Sequence, residues 1–200
     1  MPFRVPFPTL HGLQDAERNF DEITLRWPDT ADTVLPSNPF DGQQLDYLAD
    51  PASGVVWRLR YNAGSASAYK WEFVGGSSLM ALVATLESRS ATTYGALATA
   101  GPALTLPLAG DYDVEVGAGT STGGAAEGSW MSYDIGGTAA VDADAALGQV
   151  VGPGFSTSVA TMNRKTRLSA VTLTAKYRSS AVQATFWEKR FLRATPVRVG

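Results

Sequence analysis

Cysteine is missing from this 200-residue chain altogether. That excludes a disulfide framework, a thiolate zinc or iron–sulfur site and a cysteine nucleophile. Histidine is reduced to one residue, His11, so a His-dense metal centre is excluded as well. Charge is sparse, at 18% of residues, and no apolar run approaches the ~20 residues that a bilayer-spanning helix requires. The opening, Met1-Pro-Phe-Arg-Val, has no apolar stretch of secretory type, which leads to the expectation of synthesis in the cytoplasm without membrane insertion. What the chain does have is a hydrophobic fraction of 44%, Gly 20 and Pro 11. These point to a folded, turn-rich chain built of short strands rather than long helices.

Charge is split along the sequence. Residues 1–50 hold 3 basic against 9 acidic side chains, residues 51–160 hold 4 against 9, and residues 161–200 hold 9 against 1. A basic end can mark a nucleic-acid surface. Here the cations alternate with apolar residues, as in Lys176-Tyr177-Arg178 and Val197-Arg198-Val199, which is the pattern of a strand's wet face. The expectation is therefore no nucleic-acid partner, with opposite charges on the two ends serving packing between copies or against a neighbouring protein.

Three stretches follow one another. Residues 1–28 comprise an extended arm carrying Pro2, Pro6 and Pro8, then an amphipathic segment in which Leu13, Ala16, Phe20, Ile23 and Trp27 recur at helical spacing until Pro28. This short helix can pack on its own domain or join the same helix of other copies in a bundle; alone, two heptads are marginal. Residues 29–84 combine a Pro-punctuated connector with period-two alternation. Strands at 55–62 and 69–74 are expected to pair as a hairpin, with Trp57, Tyr61, Tyr69, Trp71 and Phe73 on one face and Arg58, Arg60, Lys70 and Glu72 on the other. Such an aromatic face suits a core or a subunit interface, and secondarily a sugar- or base-stacking platform.

Residues 79–97 are ambiguous between strand and loop, with a linker near 84–92. From 92 to 200, alternation returns around 104–108, 112–116, 131–135, 157–163, 167–178, 182–192 and 195–199, indicating an antiparallel β-sandwich. The run Gly117–Gly124 reads as an exposed loop.

Catalytic templates fit poorly. Gly117–Gly124 lacks the Lys-Ser/Thr and the helix of a phosphate loop. His11 lies in the Pro-rich arm, far from any structured serine. Asp111, Asp113 and Glu115 share one strand face and are the only arrangement that could serve a depolymerase, but hydrolytic use requires a carboxyl with a raised pKa. Asp142 and Asp144 lack the ligand spacing of a calcium loop. The expectation is no enzyme, no catalytic residues, no cofactor and no metal.

Residues 13–23, LQDAERNFDEI, resemble a short helix near the start of many tail and head-fibre proteins of tailed bacteriophages. Pro39–Gln44 leading into GVVWRLRY at 54–61 and YKWEFVGG at 69–76 is similar to a module that recurs in phage minor structural proteins. Leu168–Tyr177 and Phe191–Val199 look like the trimeric jelly-roll heads of the C1q and tumour-necrosis-factor type. The resemblance implies a mainly β homotrimer: short N-terminal helix, small β-hairpin module and jelly-roll-like sandwich. It implies a virion protein, made in the host cytoplasm and attached to capsid or tail proteins through residues 1–28. Leu13, Ala16, Phe20, Ile23, Trp27, Trp57, Tyr61, Tyr69, Trp71 and Phe73 are the expected oligomer interface. The alternative is a host-receptor or cell-surface glycan-binding module acting through loops around 117–128 and 136–156.

Overall fold

A computed structural model of the chain describes residues 31–123, 127–150 and 156–200. The anchor arm, His11 and the helix expected over Leu13, Ala16, Phe20, Ile23 and Trp27 lie outside the described residues.

Among the described residues, alternation of apolar and polar side chains resolves into twelve strands. They are β1 (Gln44–Asp50), β2 (Val55–Tyr61), β3 (Trp71–Gly76), β4 (Leu79–Val83), β5 (Glu87–Arg89), β6 (Ala103–Thr105), β7 (Gly110–Thr122), β8 (Glu127–Ile135), β9 (Ala146–Val150), β10 (Ser156–Leu168), β11 (Thr172–Ser179) and β12 (Thr185–Val199). One sheet runs β1-β2-β3-β12-β7-β10, with β4 and β5 also paired to β12; the second runs β6-β11-β8-β9. All pairings between these strands are antiparallel. From β6 onward the chain passes repeatedly between the two sheets, and the result is a jelly-roll-like antiparallel β-sandwich.

The core lies between the sheets. Tyr112, Val114 and Val116 of β7 and Leu192 and Ala194 of β12 are buried from one side. Met131 and Tyr133 of β8 and Leu173, Ala175 and Tyr177 of β11 are buried from the other. Each set recurs every second residue, because successive side chains of a strand point to opposite faces.

Strand β12 organises the large sheet. Along one edge it pairs in turn with β5 through Thr185–Trp187, β4 through Arg190–Ala194 and β3 through Arg198 and Val199. Its other edge runs against β7 over nearly its whole length. The expected strands at 182–192 and 195–199 are thus one continuous strand with bulges, and residues 84–92 contain β5 rather than only a linker. Strands β1–β4 share a sheet with β7, β10 and β12, and Leu45, Tyr47, Trp57, Leu59 and Trp71 belong to the same buried cluster as the sandwich core.

The stretch Gly117–Thr122, expected as an exposed loop, is the second half of β7. A β-carbon at Gly117 would come within 2.5 Å of the Phe191 ring and 2.6 Å of the Val159 carbonyl oxygen. The glycine is there because the ring of the neighbouring strand lies across it, which any larger side chain would prevent.

Candidate functional site

The residues with chemistry to offer are ionised side chains, and the sheets bring them together by sign. Asp113 of β7 faces Arg164 of β10, and Glu115 faces Arg193 of β12. Arg164 Nη2 donates to Asp113 Oδ2 at 2.9 Å, with a second bond from Nε to Oδ1, while Arg193 and Glu115 form an ion pair. Asp111, at the head of the same row, is buried and receives the Ser67 hydroxyl at 3.4 Å. The three carboxylates do share one strand face, as their spacing requires, and cross-strand partners occupy that face.

Asp142 and Asp144 open a short 3-10 turn that is fastened to the small sheet. Arg178 grips Asp142 through Nε at 2.9 Å and Nη2 at 2.6 Å, Tyr94 donates its hydroxyl to Asp142 Oδ1 at 2.8 Å, and Lys165 pairs with Asp144. The Arg178 guanidinium lies 3.9 Å from the Trp130 ring centroid and 5.5 Å from that of Tyr94. The planar cation thus both stacks and forks, which lysine could not do. Asp142 and Asp144, which lack the spacing of a calcium loop, hold the chain's own cations. Among the described residues, no three His, Cys, Asp or Glu side chains converge on a metal position.

The pattern extends over the molecule. Lys176 meets Asp134 at 3.1 Å, Arg190 meets Glu87 at 3.1 Å, and Arg198 approaches Glu72 at 3.8 Å. In all, seven of the nine basic residues in 161–200 pair with carboxylates from residues 72–144 of the same chain. The charge split anticipated as a device for packing between copies is largely satisfied within one copy.

The titration behaviour follows from these partners. Arg58 holds the Asp46 carboxyl below the usual range, Asn62 and then Arg60 do so for Glu72, Thr99 for Glu87, and Arg178 for Asp142. A glycosidase-type acid needs displacement in the opposite direction. Burial pushes the Tyr112, Tyr133 and Tyr177 hydroxyls up. Carboxylates with lowered folded-state values add stability that is present above about pH 4 and lost as the pH falls through those values. Tyrosines with raised values add stability that is present below about pH 10 and lost as the pH rises beyond it. The urea midpoint is therefore expected to be flat between about pH 5 and 9 and to fall on both sides. A midpoint that rises on acidification would contradict the ion-pair account.

A cleft of about 390 Å³ opens between β4 and β6, lined by Ala49, Asp50, Leu79, Ala81, Leu104 and Thr105 among others. Its carboxylate, Asp50, is engaged by the Ala52 amide at 3.0 Å and by the Ser53 hydroxyl. Its Thr105 and Thr172 hydroxyls bond each other at 2.9 Å.

The aromatic residues expected at an oligomer interface are distributed differently. Trp57 is fully buried and Trp71 nearly so within the single chain, whereas Tyr61, Tyr69 and Phe73 are part-buried. Trp57 stands between Tyr47 and Tyr112, with ring centroids 6.1 and 6.2 Å away, and donates its indole N–H to the Ser77 carbonyl at 2.9 Å. Neither Trp57 nor Trp71 has surface left to offer a second subunit, because the hairpin is built into the large sheet and folds onto the sandwich core. Of the loops expected to face a receptor, residues 117–122 belong to β7, 127–128 to β8 and 146–150 to β9, while 136–145 form no strand and contain the 3-10 turn Asp142–Asp144. Arg190, buried at 0% exposure, stands at a position that the alternating pattern of 182–192 does not single out.

No protein-family model matches this sequence, and no curated protein does. Similar solved structures exist. The Eiger TNF of S. frugiperda is 11% identical, with 62% of this chain and 94% of that one covered and a TM-score of 0.43. The infectious bursal disease virus Gx strain structure is 9% identical, with 84% of this chain and 56% of that one covered and a TM-score of 0.32. Such likeness concerns shape, and shape does not assign function.

Proposed function

We propose that this chain is a non-enzymatic structural component of a tailed-phage virion. It acts as a trimeric surface protein, a fibre, spike or decoration, attached to capsid or tail through residues 1–28. The observation that carries this reading is the fold's use of its own ionisable groups. The carboxylates best placed for acid–base work, Asp113 and Glu115, are tied to Arg164 and Arg193 across the strands. Asp142 and Asp144 are tied to Arg178 and Lys165. What is left is a rigid, cross-braced sandwich, which suits a surface exposed on a particle. The segments at 13–23 and 39–76 that resemble phage structural proteins add to the same reading.

Light scattering on the full chain tests it. Three copies of a 21.1 kDa chain give an expected solution mass of about 63 kDa. A mass of 21.1 kDa at every concentration tried would end the trimeric reading.

A further inference from the structure

We infer that the sandwich binds at least one ordered internal water at the end where β7 finishes and β8 and β12 begin, held between the two sheets by Thr120, Thr185 and Trp187. The inward faces of the strands change character at that end. Along β7 the buried positions run Tyr112, Val114, Val116 and Ala118, then Thr120 and Thr122. Within the large sheet, Thr185 of β12 stands opposite Thr122, and Trp187 opposite Thr120. In the small sheet, Ser129 of β8 stands between Ser179 of β11 and Gly148 of β9. Thr120, Thr122, Ser129, Ser179, Thr185 and Trp187 are each 3% exposed or less. A core that is mostly hydrocarbon is here lined with hydroxyls from both sheets.

Some of these hydroxyls are satisfied within the chain. Ser129 Oγ donates to the Gly148 carbonyl at 3.1 Å, and Ser179 Oγ to the Ala181 carbonyl at 2.6 Å. Thr120 Oγ1, Thr185 Oγ1 and Trp187 Nε1 have no hydrogen-bond partner among the described residues. A buried polar group without a partner costs free energy, and buried hydroxyls and indole N–H groups are in general satisfied. Three such groups at adjacent positions of one inward face call for a shared partner, and two to four polar neighbours are what a buried water requires. Gly148 shows how close the two sheets bring their oxygens. A β-carbon there would stand 2.6 Å from both Thr120 Oγ1 and Ser129 Oγ, so these two oxygens, from opposite sheets, are at most twice that far apart. One water spans a gap of that order with two O–H···O bonds of about 2.7 Å each.

The chemistry of the site selects water over an ion. Trp187 Nε1 can only donate, whereas the hydroxyls both donate and accept, so the occupant must accept and donate in turn. The ionised residues nearest in register are Glu87 and Arg89 of β5, opposite Trp187 and Thr185. They are one of each sign and are engaged elsewhere. Glu87 is held by Thr99 and Arg190, and Arg89 donates to the Thr93 and Ala96 carbonyls. A bare cation or anion would lose its hydration here and meet no net opposite charge. The inference stands apart from the trimeric reading, since every group in it belongs to one chain.

The test uses the full chain labelled with nitrogen-15. The Trp187 indole N–H, identified as the signal that Trp187→Phe removes, is expected to show a magnetic cross-peak to water although the residue is 0% exposed. The Trp57 indole N–H, equally buried but bonded to the Ser77 carbonyl, is the control and is expected to show none. No cross-peak at Trp187 overturns the inference. A Trp187 indole shift that follows chloride concentration also overturns it, because the occupant would then be an anion. Thr120→Val gives effects of opposite sign in the two cases. Where water completes the bonding of the hydroxyl, valine strips that water, orphans the indole N–H and lowers the melting temperature by about 2–4 °C. A melting temperature that rises would mean that valine had removed a simply unpaired hydroxyl, and the water would be disproved. Oxygen-17 relaxation of the solvent, which exchanging hydroxyl protons cannot mimic, is expected to count fewer long-lived waters in Thr120→Val than in wild type. An equal count overturns the proposal.

Discussion

Arg190→Ala is expected to lower the unfolding free energy by about 3–5 kcal/mol, the cost of breaking a buried ion pair from one side. The register between β12 and β7 shifts between Glu188 and Phe191, and Lys189 takes a left-handed φ of 48°. That bulge inserts one residue and lets Arg190 turn to the interior, where it is 0% exposed. Its Nη2 lies 3.1 Å from Glu87 and donates to the Thr85 carbonyl at 3.3 Å, while Nη1 reaches the Thr99 carbonyl at 3.4 Å. The guanidinium also sits 5.5 Å from the Tyr177 ring centroid. One side chain therefore fixes the crossing segment 84–99 to β12 and to the small sheet. Alanine would leave the Glu87 carboxylate, held by Thr99, facing an apolar gap. Urea unfolding followed by tryptophan fluorescence should show the loss, with a melting temperature lower by about 10 °C. A loss under about 1 kcal/mol would mean that Arg190 is a passenger, its desolvation cancelling its bonds.

Trp57→Ala should cost a similar amount, about 3–5 kcal/mol, by a different route. The indole fills the joint between the hairpin strands and β7, so truncation opens a cavity and orphans the Ser77 carbonyl. The form of the loss matters as much as its size. A residue buried within its own chain lowers the melting temperature equally at all protein concentrations, whereas a residue at a subunit contact makes the shift concentration-dependent. The expectation is a shift that does not change over a hundredfold dilution. A shift that grows on dilution would return Trp57 to a subunit interface and contradict its burial in the single chain.

These two residues also show what was legible beforehand. The hairpin could be read because alternation on both sides of a Gly/Ser/Ala turn is a local signal, and Arg60 does meet Glu72 across it at 2.9 Å. The strand β11 and the first half of β7 were read for the same reason. Gly117–Thr122 was not, since Gly, Ser and Thr are turn residues locally, and the ring that explains Gly117 is Phe191, brought there only by the fold. Short β4 and β5 carry little pattern of their own and are strands because β12 lies beside them. The charge split was visible, but its partners sit on distant strands, so its purpose was misjudged. Arg190 did leave a trace: Trp187 and Leu192 are both buried although five residues apart, an odd spacing that a strand tolerates only with a bulge between them. Parity along an apolar strand is thus a detectable sign of an inward-turned polar residue.

The position of β12 has a consequence for how the protein is made. The strands β3, β4 and β5 on one side and β7 on the other have no common partner until residues 185–199 exist. A ribosome delivers those residues after everything they join. The chain emerges with exposed strand edges and folds when the last of its described strands arrives, not module by module along the way. Until that moment the aromatic hairpin is an apolar surface without a home, the kind of surface that chaperones cover.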